Sequence, residues 1–331
     1  MLAIMKIESL ALKRKLDGIY SFLWSRGIER QASLLIGLII LVIFMSLSSP
    51  HFLSWRNFMH LSRNIAISGI FAIGMTLVIL TGEIDLSISS TISLSGLLLI
   101  GVSQNYGIFL GIVACLSSGI IVGAINGLLV TKGKIPSFAA SLATMLIVVG
   151  IAMLYCHGSP IIGLPDGFRQ VGRGLIGGIP VPVFIFIAIL IVSNYLFKLK
   201  IGSYIYAVGG NINAARLGGI NVGKVKIFVF IVMGFLASFG SMILTARTNT
   251  ATIYMGSGKE LEAIAVTVVG GTLLSGGIGN VWGTLLGVTI FTIINTGLNL
   301  LGVPSDYQYV ARGLIIIAAL LTQISQKNSR R

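Results

Sequence analysis

The chain reads as long apolar stretches separated by short polar breaks. Taking the breaks as boundaries gives about ten candidate spans, near 32–49, 64–82, 86–104, 108–130, 137–157, 179–197, 225–246, 261–275, 281–302 and 307–325. A run such as Leu34 to Met45 does not alternate as a lipid-spanning strand would. A helix of about 20 residues rises roughly 30 Å, the thickness of a bilayer's hydrocarbon core. The pattern therefore predicts an all-α, polytopic membrane protein with about ten transmembrane helices. The stretch near 261–275 is short and runs into Gly270, Gly271, Gly276, Gly277 and Gly279. A broken or re-entrant segment is expected there, a form tolerated only where protein or a cavity covers the freed backbone groups.

Composition agrees with the pattern. Of the 331 residues 55% are hydrophobic and only 10% charged, against roughly 25% charged in soluble domains. The formal charge of +14 would suggest nucleic acid in a soluble chain. In a membrane chain it signals orientation instead, because basic residues hold loops on the cytoplasmic side. With the N-terminus inside and ten crossings, sixteen of the 23 Lys and Arg fall on the cytoplasmic side and seven opposite. Both termini are thus expected in the cytoplasm and the 158–178 loop outside, with no nucleic-acid partner. Residues 1–30 read as a basic cytoplasmic segment whose Leu12, Leu16, Ile19, Tyr20 and Leu23 recur at helical spacing, as in a helix resting on membrane lipid. They lack the cleavage site of a removable signal peptide. Residues 31–326 form the transmembrane domain and 327–331 a cytoplasmic tail.

A weak internal repeat is visible. Gly119, Gly123 and Gly127, with Asn126 among them and Ile135-Pro136 after, resemble Gly279, Gly283 and Gly287, followed by Asn295 and Val303-Pro304. Each set lies in the third span of a four-span block, 2–5 or 7–10, and the two four-helix blocks would be inverted relative to one another. The alternative is that small residues at four-residue spacing simply let membrane helices approach closely. Asn126 and Asn295 are accordingly candidates for a translocation path or for helix packing.

Catalytic chemistry is sparse. His51, His60 and His157 lack the spacing of a helical zinc site, so no metal site is expected, and no nucleophile elbow occurs. Cys115 and Cys156 read as packing residues. The segment Gly256-Ser257-Gly258-Lys259-Glu260 imitates a phosphate loop, but Ile253 stands where the first Gly belongs and Glu260 replaces the magnesium-binding hydroxyl. ATP, if used, must be hydrolysed by another chain. Glu83, Asp85, Glu260, Glu262 and Arg312 all lie near span ends, where carboxylates suit helix N-termini; Asp85 and Glu262 are expected to act as caps. A proton-coupled secondary transporter would instead need a carboxylate at mid-membrane.

The loop 198–226 is the most informative. Asn213 is expected to cap a short helix carrying Ala214, Ala215 and Arg216, with Gly218-Gly219 as its left-handed stop. Such a helix suits docking into a partner's groove.

The stretch Gly209-Gly210-Asn211-x2-Ala214-Ala215-Arg216-Leu217-x-Gly219-Ile220 resembles the coupling-loop motif of permease subunits of bacterial ATP-binding cassette importers for simple sugars, the ribose, xylose, arabinose and autoinducer-2 type. Three further stretches are similar to that family's signatures. They are Thr81-Gly82-Glu83-Ile84-Asp85-Leu86-Ser87; Gly258-x-Glu260-Leu261-x-Ala263 with Val269-Gly270-Gly271-Thr272; and Asn295-x-Gly297-Leu298 with Gln308 and Gly313. The resemblance implies an integral protein of the bacterial inner membrane that is not itself an enzyme. It would form the path for a ribose-like monosaccharide together with a second permease subunit, identical or paralogous. No cofactor belongs to this chain; ATP and Mg sit on a partner ATPase, and an extracytoplasmic sugar-binding protein delivers the solute. It places Gly209, Gly210, Asn211, Asn213, Ala214, Ala215, Arg216 and Gly219 in the ATPase-coupling loop, with Ala214, Ala215 and Arg216 in the ATPase groove. It makes Gly82, Asp85, Ser87, Glu260, Gly270 and Gly271 a structural signature. Gly218, Glu83 and Ser89 depart from the family's common residues, and permeases for nucleosides and branched-chain amino acids are related.

Overall fold

A computed structural model describes residues 28–304 together with 306–308, 310, 311, 313, 314 and 317. The long helices are α1 (Ile28–Ser48), α2 (Trp55–Leu80), α3 (Ile88–Tyr106), α4 (Ile108–Thr131), α5 (Ser137–Cys156), α7 (Val181–Lys198), α10 (Val222–Thr248) and α12 (Val281–Leu300). Shorter ones are α6 (Asp166–Arg173), α8 (Lys200–Gly210), α9 (Ile212–Leu217) and α11 (Lys259–Val269). Four two-residue strands pair antiparallel as β1 (Ile161–Ile162) with β4 (Thr250–Ala251) and β2 (Leu175–Ile176) with β3 (Ile179–Pro180).

Nine of the ten expected spans fall on helices. Seven of these are long and apolar enough to cross a membrane among the described residues: α1, α2, α4, α5, α7, α10 and α12. Helix α3, with Ser89, Ser90, Thr91, Ser93, Ser95 and Ser103, and the 11-residue α11 fall outside that set. The tenth expected span, the 1–30 segment (but for the first residues of α1) and the 327–331 tail lie outside the residues described in full. Helix α2 begins nine residues before the apolar stretch, because Ser54 caps it by accepting from the Asn57 amide at 3.3 Å. Arg56, His60 and Arg63 had hidden that first portion from a hydropathy reading.

Helix α2 is the centre of the bundle. From Ala66 to Leu80 every residue is buried, as expected of a helix apolar all round its circumference. Helix α10 crosses it, α4 packs along α10, α3 along α4, and α12 along α2. Helix α1 is peripheral and exposes Ile36, Ile39, Ile40 and Leu47, an apolar surface suited to lipid. The two glycine stripes seal different seams. A β-carbon on Gly119 or Gly123 would overlap the carbonyls of Gly234 or Phe230 on α10, whereas one on Gly283 or Gly287 would overlap those of Gly270 or Val266 on α11. Close backbone approach is thus the observed use of both stripes.

The breaks collect at two ends. At one, Gly277 N donates to Leu80 O at 2.9 Å, Ile84 N to Ser137 Oγ at 3.1 Å and Tyr206 Oη to Gly279 O at 2.7 Å. This is the α8–α9 end. At the other, Gln104 reaches Ile162 O at 2.7 Å, Arg63 reaches Arg173 O at 3.1 Å, and β1 pairs with β4. This is the strand end.

Candidate functional site

Helix α11 is half a span. Its 11 residues rise about 16 Å, roughly half of a hydrocarbon core. The other half is a chain that turns back from β4: Thr245 meets Met255 Sδ, and Gly256 N donates to Ser93 Oγ at 3.1 Å, deep along α3. A β-carbon on Gly256 would overlap Ser89 O. Of the two expected forms, broken or re-entrant, the described residues show the broken one: the segment runs from β4 at the strand end to the 270–280 turn at the α8–α9 end, and protein groups meet its freed backbone, as hydrocarbon requires.

Above the start of α11 lies a cavity of about 240 Å³ between α2, α10, α11 and α12. Its lining is mostly polar, and Ile67 and Leu244 are its two large apolar residues. The charged groups are held. Ser68 Oγ donates to Glu262 Oε1 at 2.6 Å, Lys259 Nζ meets Glu262 Oε2 at 2.7 Å, and Arg247 donates to Asn64 Oδ1 at 2.7 Å. Helix α12 contributes Thr292, Asn295, Thr296 and Asn299, spaced i, i+3, i+4, i+7 and so on one face. A second cavity of about 480 Å³ shares Thr296 and Asn299 and continues past Asn57 and His60 to His51 and Ser54, at the strand end. Toward the α8–α9 end the same helices pack through an apolar layer. One turn on from Ser68 and Glu262 come Ala72 and Val266, which cluster with Ala265, Val288 and Phe291, and below them Thr76 and Thr284 join hydroxyls at 2.7 Å.

Asn295 thus lines the cavity, and Asn126 does not. Asn126 is fully buried and donates to Ser87 Oγ at 2.8 Å and Asp85 Oδ1 at 3.3 Å. Asp85 Oδ1 also accepts from the Ser87 amide and hydroxyl at 2.9 and 2.7 Å. The signature residues Asp85 and Ser87 are therefore pinned to α4, a hydrogen-bonded role. Two capping expectations need correction. Ser87 holds the N-cap position of α3 and Gly258 that of α11; Asp85 ties the turn before its helix, while Glu262 points sideways to Ser68. Glu83 is an ion-pair partner of Lys226 on α10. Glu260 is in the first turn of α11 with one carboxylate oxygen shielded and unpartnered. Gly270 ends α11 against Gly283, and Gly271, at φ 100°, turns the chain away. Gly82, at φ 78°, turns the chain out of α2. Among the described residues no three His, Cys, Asp or Glu come together as a metal site would require.

The α8–α9 elbow is built differently from expectation. Asn211, not Asn213, caps α9, its Oδ1 accepting from the amides of Asn213 and Ala214 at 3.0 Å each. The position is decided by backbone: Asn211 is extended at φ −158°, whereas Asn213 is already helical. Gly219, at φ 79°, closes the helix as Ile220 N returns to Ala215 O and Gly219 N to Arg216 O; of the expected Gly218-Gly219 stop only Gly219 is left-handed, Gly218 staying at φ −75°. Ala215 is 4% exposed and packs into the core. The surface that α9 offers is Asn213, Ala214, Arg216 and Leu217, and Leu217 is 91% exposed. The preceding α8 is riveted beneath. Gly209 lies so close to Leu80 O and Gly277 that a β-carbon would overlap both, and Gly210 abuts Gly277. Burial raises the pKa of Tyr206, whose hydroxyl holds Gly279 O.

The family model described as branched-chain amino acid transport system / permease component matches residues 57–320. The chain is 44% identical to the ribose import permease protein of Haemophilus influenzae, covering 86% of this chain and 90% of that one. It is 44% identical to that of Bacillus subtilis (89% and 93%) and 33% identical to an L-arabinose transporter permease of Azospirillum brasilense (89% and 88%). No solved structure matches. The chain is a multi-pass membrane protein and belongs to the family of permease components of the branched-chain amino acid transport type.

Proposed function

We propose that this protein is the permease subunit of an ATP-binding cassette importer, forming the path by which a ribose-like monosaccharide delivered by an extracytoplasmic binding protein enters a bacterial cell. The observation that carries the substrate is its 44% identity to proteins named as ribose import permeases, over nearly nine-tenths of both chains. A sugar entering hydrocarbon loses several kcal/mol per unreplaced hydrogen bond, so a protein path is needed. In this reading the α8–α9 end is cytoplasmic, in line with the sixteen-to-seven charge count, and both termini share that side.

The outward face of α9 docks a separate ATPase, which holds ATP and Mg. A second permease subunit completes the path. The two blocks, spans 2–5 and 7–10, form an inverted pair. That arrangement is supported by contact pairing: α4 touches α3 and α10, as α12 touches α11 and α2. Domain boundaries stand as read from sequence, with the coupling loop at 198–226. Uptake of a panel of sugars, nucleosides and branched-chain amino acids by vesicles holding the complete importer tests the reading. Ribose uptake dependent on ATP and binding protein is expected; uptake of leucine or a nucleoside in its place overturns the substrate, and uptake driven by a proton gradient without ATP overturns the importer.

A further inference from the structure

We infer that the polar cavity on α12 is a transit subsite at which this subunit itself reads the hydroxyls of a neutral polyhydroxylated solute, with Thr292 and Asn295 as its contacts and Asn299, whose amide is held by Gln308 and the Asn295 carbonyl, at its edge; the inference rests on the sugar reading above. Four observations converge. The lining is rich in amides and hydroxyls, which donate and accept by turns as sugar hydroxyls do. Its charged groups already have protein partners: Glu262 is bound by Lys259 and Ser68, and Arg247 by Asn64. A zwitterion would have to displace these contacts, and a branched aliphatic side chain would find only Ile67 and Leu244. A neutral solute rich in hydroxyls needs neither change. The volume of about 240 Å³ equals on the order of eight waters at about 30 Å³ each, the scale of one small polar solute.

The depth of the cavity is the fourth observation. It shares Thr296 and Asn299 with the larger cavity, whose lining reaches His51 and Ser54, so polar residues line the way from the strand end to Ser68 and Glu262, halfway along α2. One turn further along α2 and α11 lie Ala72 and Val266, which cluster with Val288 and Phe291 in an apolar layer. A solute admitted from the strand end would rest against the polar wall, short of that apolar layer. Helix α11 supplies part of both, since Glu262 and Val266 are one turn apart on it. Its far end leads into the 270–280 turn that is fastened to α8 through Gly277 and Tyr206.

The test uses proteoliposomes of the complete importer, with labelled D-ribose and saturating ribose-loaded binding protein, reading ribose moved per ATP hydrolysed. Thr292→Val and Asn295→Leu, each in a complex that co-purifies with its ATPase in wild-type ratio, are expected to lower that ratio at least tenfold, and Asn295→Gln to recover part of it. A second reading uses Asn299→Cys, since Cys115 and Cys156 are both buried. A hydrophilic thiol reagent is expected to label it, and ribose-loaded binding protein to slow labelling several-fold under turnover. Wild-type transport ratios in both Thr292→Val and Asn295→Leu, or labelling indifferent to ribose, overturn the subsite while leaving the importer standing. Absence of ribose uptake in the unmutated complex overturns the sugar reading itself.

Discussion

The short helix α9 separates two effects that its sequence runs together. Ala215 is 4% exposed inside its own chain, while its neighbour two residues on, Leu217, is 91% exposed at the end of α9. Ala215→Glu would bury a carboxylate without a partner, at a cost of several kcal/mol, so it should abolish the folded permease rather than its docking. Leu217→Asp should leave the fold intact and weaken a docked ATPase. Burying a leucine contributes about 1.5–3 kcal/mol, and at roughly 1.4 kcal/mol per tenfold the loss in affinity is about 10- to 150-fold. Arg216→Glu, exposed on the same surface, should add a smaller loss, as expected of a solvated rim charge. The assay is titration of the ATPase onto purified permease in nanodiscs, beside thermal unfolding of each variant. Asn249→Ala, in the strand-end turn, serves as the control for docking. Wild-type affinity in the Leu217→Asp, Arg216→Glu double variant would refute the docking surface, and a stable, monodisperse Ala215→Glu protein would refute the packing argument.

Other expectations follow from single contacts. The Lys226–Glu83 pair is mostly shielded, with side chains 14% and 12% exposed; Lys226→Met or Glu83→Gln should destabilise by about 3–5 kcal/mol, and exchanging the two charges should recover part of it in a thermal melt. Asn126→Ala removes the tie to Asp85 and Ser87 and should cost about 1–3 kcal/mol without moving the pH optimum of uptake; a shifted optimum would restore a proton-relay role for Asp85. Gly283→Leu would force α12 off α11 at Gly270, so assembled, transport-competent permease should be lost, which uptake normalised to folded protein would reveal.

Which parts were legible in the sequence has a physical basis. The bilayer requires backbone groups to bond within their own segment, so apolar runs had to be helices, and breaks at glycines and prolines marked their ends. The short run into Gly270 and Gly271 announced a broken or re-entrant segment, because too few apolar residues precede the glycines to cross. The glycine stop of α9 was legible because its bonds are local. The cap was assigned two residues late, since Asn211 and Asn213 are equally good acceptors and only the backbone bend between α8 and α9 selects one. The polar stripe on α12 was present as spacing at 292, 295, 296 and 299, but an apolar helix carrying polar residues does not say what they face. Tertiary structure alone decided that. It set Asn295 against Ser68 and Glu262 around a cavity, turned Asn126 toward Asp85 41 positions away, joined Glu83 to Lys226 across 143, and rotated α9 so that Ala215 went inside and Leu217 outside. Hydropathy along a chain fixes which segments leave water; which side of each segment meets which other is set by packing among helices distant in sequence, where close backbone approach at glycines and hydrogen bonds between remote side chains choose the rotation.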